Sequence, residues 1–105
     1  MKLTIYAEGQ TMPLEVPEAI LADGHGFFDK LDSDMDAGWQ MSRQWVDKPD
    51  ATQRSQIVAD RLLDAMHQGK VELALMLAGY ILTRNPGAGA VRYGEEGDMA
   101  QTQIV

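Results

Sequence analysis

The chain has 105 residues, no cysteine, two histidines and a net charge of −7 from sixteen acidic and nine basic side chains. That length allows one domain burying roughly 65% of the surface its unfolded form would expose, and a 45% hydrophobic, 24% charged composition suits a globular fold rather than a disordered one. The charge disfavours phosphate backbones and anionic lipid, so neither nucleic acid nor a membrane is expected as partner, and the missing cysteines exclude disulfides, thiolate metal sites and Cys nucleophiles.

From Lys2 to Ala7 polar and apolar residues alternate, with Leu3, Ile5 and Ala7 on one face; Met12, Leu14 and Val16 repeat the pattern after a break at Glu8-Gly9-Gln10. A β-hairpin over residues 1–16 is predicted. Pro13 lacks an N–H, so the second strand should lie at a sheet edge and any third strand should add beside Lys2 to Ala7. This opening resembles the first hairpin of ubiquitin-like β-grasp domains. The helices predicted next depart from that fold, and no function follows from the resemblance. The N-terminal residues contain no continuous apolar stretch and no small-residue cleavage site, so no signal peptide is expected and the expected location is cytoplasmic.

Residues 17–85 read as helical. Pro17 suits the first position of a helix that buries Ile20 and Leu21, and Gly24-His25-Gly26 interrupts it. A longer helix is predicted from Gly26 to Val46, because Phe28, Met35, Trp39 and Val46 stack on one line. Pro49 ends it. Asp50 followed by Gln53 resembles a capping box, with Pro49 as first helical residue the alternative, for a helix reaching Gln68, with Val58, Leu62, Ala65 and Met66 inward and Gly69 just past its end. The stretch Val71–Leu82 is apolar on both sides, too short for a bilayer, and so should sit in the middle of the protein. Arg84 suits its last turn, and Asn85-Pro86-Gly87 ends it. Residues 86–105 form a glycine-containing tail in which Val91 and Tyr93, and later Ile104 and Val105, can make short strands, with a loose tail the alternative. The expected fold is α+β over residues 1–105: the hairpin, open to extension by a C-terminal strand, packed on a mainly antiparallel three-helix core.

The sequence carries one conspicuous charge pattern. Asp29, Asp32 and Asp36 recur at i, i+3 and i+7, where like charges destabilise a helix by about 0.2–0.5 kcal/mol per pair. Read as function, the stripe is an acidic docking face for a basic protein, with Asp47 near its end and Met41 and Trp45 as an exposed apolar margin. A second reading is a calcium-type cation binder. Asp32, Asp34 and Asp36 occupy the first, third and fifth positions of an EF-hand loop, but Ala37 and Arg43 stand where its Gly and bidentate Glu are needed. A third reading is a small-ligand pocket around His25, Trp39, Trp45 and Tyr80. Asp64 and His67 have the carboxylate-x-x-His spacing of di-iron bundles, but in a single copy that points, with Asp60, away from the core. Ser33, Ser42 and Ser55 have no recognisable base, so no catalytic residue and no cofactor are expected. The leading expectation is therefore a small non-enzymatic accessory or interaction domain with a basic partner. It should be a homodimer, because Ala78 and Gly79 permit close helix approach and the two-sided apolar helix needs cover.

Overall fold

The computed structural model describes residues 1–105. In chain order its elements are β1 (Lys2–Ala7), β2 (Gln10–Glu15), α1 (Glu18–Asp23), α2 (His25–Asp36), β3 (Trp39–Met41), β4 (Gln44–Val46), α3 (Ala51–His67), α4 (Val71–Arg84), β5 (Ala90–Arg92), a 3-10 turn (Met99–Gln101) and β6 (Gln103–Ile104). The fold is α+β. Its main sheet has the order β2-β1-β5-β6, with β5 parallel to β1 and the outer pairs antiparallel.

The β1–β2 turn consists of Glu8 and Gly9 at φ 56° and 73°, the left-handed geometry that matches the twist of a two-residue hairpin. Leu3, Ile5 and Ala7 are buried beneath the sheet. On the other edge of β1, the Thr4 amide donates to the Gly89 carbonyl at 2.9 Å. Thr4 therefore turns its hydrogen-bonding groups away from β2, and Pro13, paired opposite it, points its ring nitrogen out of the sheet. The one residue of β2 that cannot donate occupies an outward-facing position of the edge strand. The predicted third strand is β5, which lies beside β1 with Ile5 opposite Val91.

The helices pack around α4. Both hydrogen bonds of the capping box start α3: Gln53 N to Asp50 Oδ1 at 2.8 Å and Asp50 N to Gln53 Oε1 at 2.9 Å. Gly69, at φ 71°, supplies the left-handed residue that turns the chain back into α4. Leu77, Ala78 and Ile81 are fully enclosed. Phe28 fills the space between two glycines: a Cβ on Gly24 would lie 2.7 Å from Phe28 Cζ, and one on Gly79 would lie 3.0 Å from it. The close approach expected at Ala78-Gly79 is thus made by α1 and α2 of the same chain. Cover thins towards the start of α4, where Val71 is 67% exposed.

The helix expected from Gly26 to Val46 ends at Asp36, and a small second sheet, β3–β4, replaces its second half. Gly38 adopts φ 99°, outside any right-handed helix, and Ser42 sits at φ 56° in the hairpin turn. Trp39 lies directly opposite Val46. A seven-residue separation is two helical turns, and it is also the spacing of partners across a hairpin, so the apolar pattern was satisfied by either structure. Trp45 closes over Gly38, where a Cβ would come within 2.4 Å of the indole.

The tail is tied down rather than loose. The buried Gln56 amide donates to the Thr102 and Ala100 carbonyls at 3.0 and 3.3 Å, and the Tyr93 hydroxyl donates to the Ala59 carbonyl. No helix is long and apolar enough to cross a membrane.

Candidate functional site

The expected acidic stripe exists on α2, but two arginines reach into it. Asp32 stands at the centre. It accepts the Tyr80 hydroxyl at 2.5 Å, Arg84 Nε at 3.2 Å and Arg54 Nη1 at 3.4 Å. Arg54 continues to Asp36 at 2.5 Å, and Arg84 to Asp29 at 3.0 Å. Burial works to raise the Asp32 pKa, but the hydrogen bonds from Tyr80, Arg84 and Arg54 outweigh it and hold the carboxyl below its ordinary value. Burial first, and then the bond to Asp32, push the Tyr80 hydroxyl up. This arrangement fastens α2 to the first turn of α3 and the last two turns of α4. With Asp34 held by Lys30 at 2.9 Å, four carboxylates meet three cations, so the stripe is largely neutralised from within.

The remaining predicted residues separate. Asp47 follows β4 instead of ending an acidic helix, and it accepts the Trp45 indole N–H at 2.8 Å. Trp45 is exposed at 55%, as expected, on the hairpin. Met41 is not: its strand turns it inward to 7% exposure, because the segment is a strand and not the outer face of a helix. Asp32 and Asp36 are turned towards arginines while Asp34 is turned towards Lys30, and no group of three carboxylate or imidazole side chains is assembled to hold a metal ion. The proposed aromatic pocket disperses too. Tyr80 is enclosed against Phe28, Trp45 covers Gly38, and His25 lies edge-on to Phe28 at 5.9 Å.

A different acidic side lies on the outward face of α3. Asp60, Leu63, Asp64 and His67 recur at i, i+3, i+4 and i+7, and the β1–β2 turn and the segment after β5 fold against that face. Leu63, the turn and that segment line a cavity of about 660 Å³, with Glu8, Tyr93 and Glu95 among its walls. His67 meets Glu8 at 3.0 Å. Asp60, Asp64 and Glu95 make no ion pair. Burial and then the neighbouring Asp64 charge raise the Asp60 pKa; burial, Asp60 and Asp64 raise that of Tyr93. Both effects mark negative charge without a counter-charge in a partly dry place.

No known family model, curated protein or solved structure matches this chain. Chemistry must therefore be read from the geometry. The Asp60-Asp64-His67 face was legible in the sequence as a polar helix side. Glu8 and Glu95, far from it in sequence, join it only through the pairing of β5 with β1.

Proposed function

We propose that this protein is a small non-enzymatic interaction domain that binds a basic protein partner, and that it does so through the side bearing Glu8, Asp60, Asp64 and Glu95. The observation that supports this reading is the contrast between its two acidic clusters. On α2 the carboxylates are held by Arg54, Arg84 and Lys30, whereas Asp60, Asp64 and Glu95 have no basic partner within salt-bridge distance. Carboxylates left unpaired in a protein of net charge −7 favour encounter with a positive surface and raise its on-rate.

A fluorescently labelled oligo-arginine peptide, titrated at a salt concentration where the Debye length is near ~10 Å, tests the reading. The wild type should bind it, and Asp60→Asn, Asp64→Asn and Glu95→Gln combined should weaken binding more than Asp29→Asn with Asp36→Asn. Absence of binding by the wild type rules the reading out. The same two variants, used as baits in the native cell, then identify the partner.

Self-association is a further part of this proposal, supported by Val71 standing 67% exposed beside a groove of about 220 Å³ that includes Leu14, Met66 and Leu75. Sedimentation velocity should show a dimer at micromolar concentration that Val71→Lys converts to monomer. A monomeric wild type excludes it.

A further inference from the structure

Independently of the basic-partner surface, we propose that the cavity between the β3–β4 hairpin and the segment Glu96–Ala100 binds a small zwitterion of the α-amino-acid class. Its volume, about 430 Å³, lies within the range of small-ligand sites, and Gln53 and Gln56 of α3 complete its lining. The hairpin and the C-terminal segment are tied together where the Met99 amide donates to Ser42 Oγ at 3.0 Å.

Two observations give the ligand its chemistry. The first is Gln56, only 9% exposed. Its Nε2 donates to the Thr102 and Ala100 carbonyls at 3.0 and 3.3 Å, which fixes the other end of the amide as the acceptor. Oε1 accepts no hydrogen bond from the chain. No enclosed side-chain polar atom of the protein lacks a partner, so this oxygen meets the open cavity that Gln56 lines. An acceptor held in place within a nearly buried side chain is completed by a donor from a ligand.

The second observation is a separation of charge. Arg43 on the hairpin and Glu96 on the C-terminal segment border the same cavity, yet neither enters an ion pair. Asp98 differs from Glu96, because its Oδ1 is occupied by the Ala100 amide at 3.0 Å. Opposite charges held apart across one space suit a molecule that carries both. The Arg43 guanidinium offers a fork for a carboxylate, and Glu96 with Gln56 Oε1 offers acceptors for an ammonium group. Buried Met41 and half-buried Val46 add apolar surface for an aliphatic side chain. A metal ion fits less well, since no three carboxylate or imidazole side chains are gathered there.

The experiment titrates the full chain with L-leucine and with glycine, following backbone and side-chain amide signals by NMR. N-acetyl-L-leucine, which keeps only the negative charge, and L-leucine methyl ester, which keeps only the positive one, are the controls. Leucine should shift Met41–Gln44, the Gln56 side-chain amide and Glu96–Ala100. Arg43→Gln and Glu96→Gln lie at exposed positions and break no ion pair, so both should fold, and each should weaken leucine binding by about tenfold, the scale of one charged hydrogen bond. Glu8→Gln with Asp64→Asn should leave it unchanged. An acetylated leucine that binds as tightly as leucine overturns the ammonium contact, and an ester that does so overturns the carboxylate contact; either result removes the zwitterion. Absence of shifts at the cavity with both leucine and glycine overturns the site, whatever oligo-arginine does at the acidic side.

Discussion

The Tyr80 hydroxyl donates to Asp32 across the α2–α4 contact, and the same carboxylate receives Arg54 from α3 and Arg84 from α4. A residue that reads in sequence as the middle of a docking stripe is therefore a clamp among three helices. Asp32→Ala leaves a buried tyrosine hydroxyl and two arginines without their shared acceptor. The expected loss is about 2–3 kcal/mol, by comparison with other charged hydrogen bonds, measured by urea denaturation near neutral pH. A change below about 0.5 kcal/mol, the range of ordinary surface substitutions, contradicts the clamp.

The same residue gives an acid dependence. Its folded pKa is depressed, so the stability it contributes is fully present above the unfolded value of 3.8 and is lost as pH falls through the lower folded value. The wild type should lose more stability than Asp32→Asn on going from pH 5 to pH 2 by thermal melting, since the asparagine has no proton to take up. Parallel curves for the two proteins contradict the assignment.

Asp60 should behave in the opposite sense. Its folded pKa is raised, by burial and by Asp64, so its charged form is a liability to the fold at neutral pH. Asp60→Asn should raise Tm at pH 7. The gain should shrink as pH falls through the raised folded pKa towards 3.8, below which aspartate is protonated in both states. A lowered Tm at pH 7 would show that the carboxylate has a stabilising partner.

Gly24→Ala tests the packing of α1 against α2. The added methyl would meet the Ile20 carbonyl oxygen at 2.5 Å and Phe28 at 2.7 Å, and neither can withdraw without moving backbone or core. The expected loss is about 1–3 kcal/mol, typical of overpacking. Leu77→Ala, at a fully buried site of α4, should cost about 2–5 kcal/mol from transfer and cavity terms. Denaturant midpoints at unchanged m-value report both.

Much of this architecture was readable because local chemistry and global burial agree. The Gly69 turn, the alternation in β1 and the two-sided apolar run of α4 each have a single structural solution. The segment from Gly38 to Val46 did not. Its apolar spacing satisfies a helix and a hairpin equally, and the choice depends on backbone signs at Gly38 and Ser42 that hydrophobic periodicity does not encode. The site was harder still. That Asp29, Asp32 and Asp36 share a helix face is local information, whereas their neutralisation depends on Arg54 and Arg84, which arrive through tertiary packing.

The parallel pairing of Thr4 with Ala90 also sets an order of events during synthesis. The hairpin leaves the ribosome long before its neighbour β5; at about 5–20 residues per second the wait is roughly 4–15 s. Throughout that interval one edge of β1 has no partner strand. Pro13 blunts the far edge of the hairpin, but nothing on β1 blunts the near one. The nascent chain is therefore most open to chaperone capture, or to pairing with another nascent copy, along β1, and this vulnerability ends only when residues 90–92 arrive.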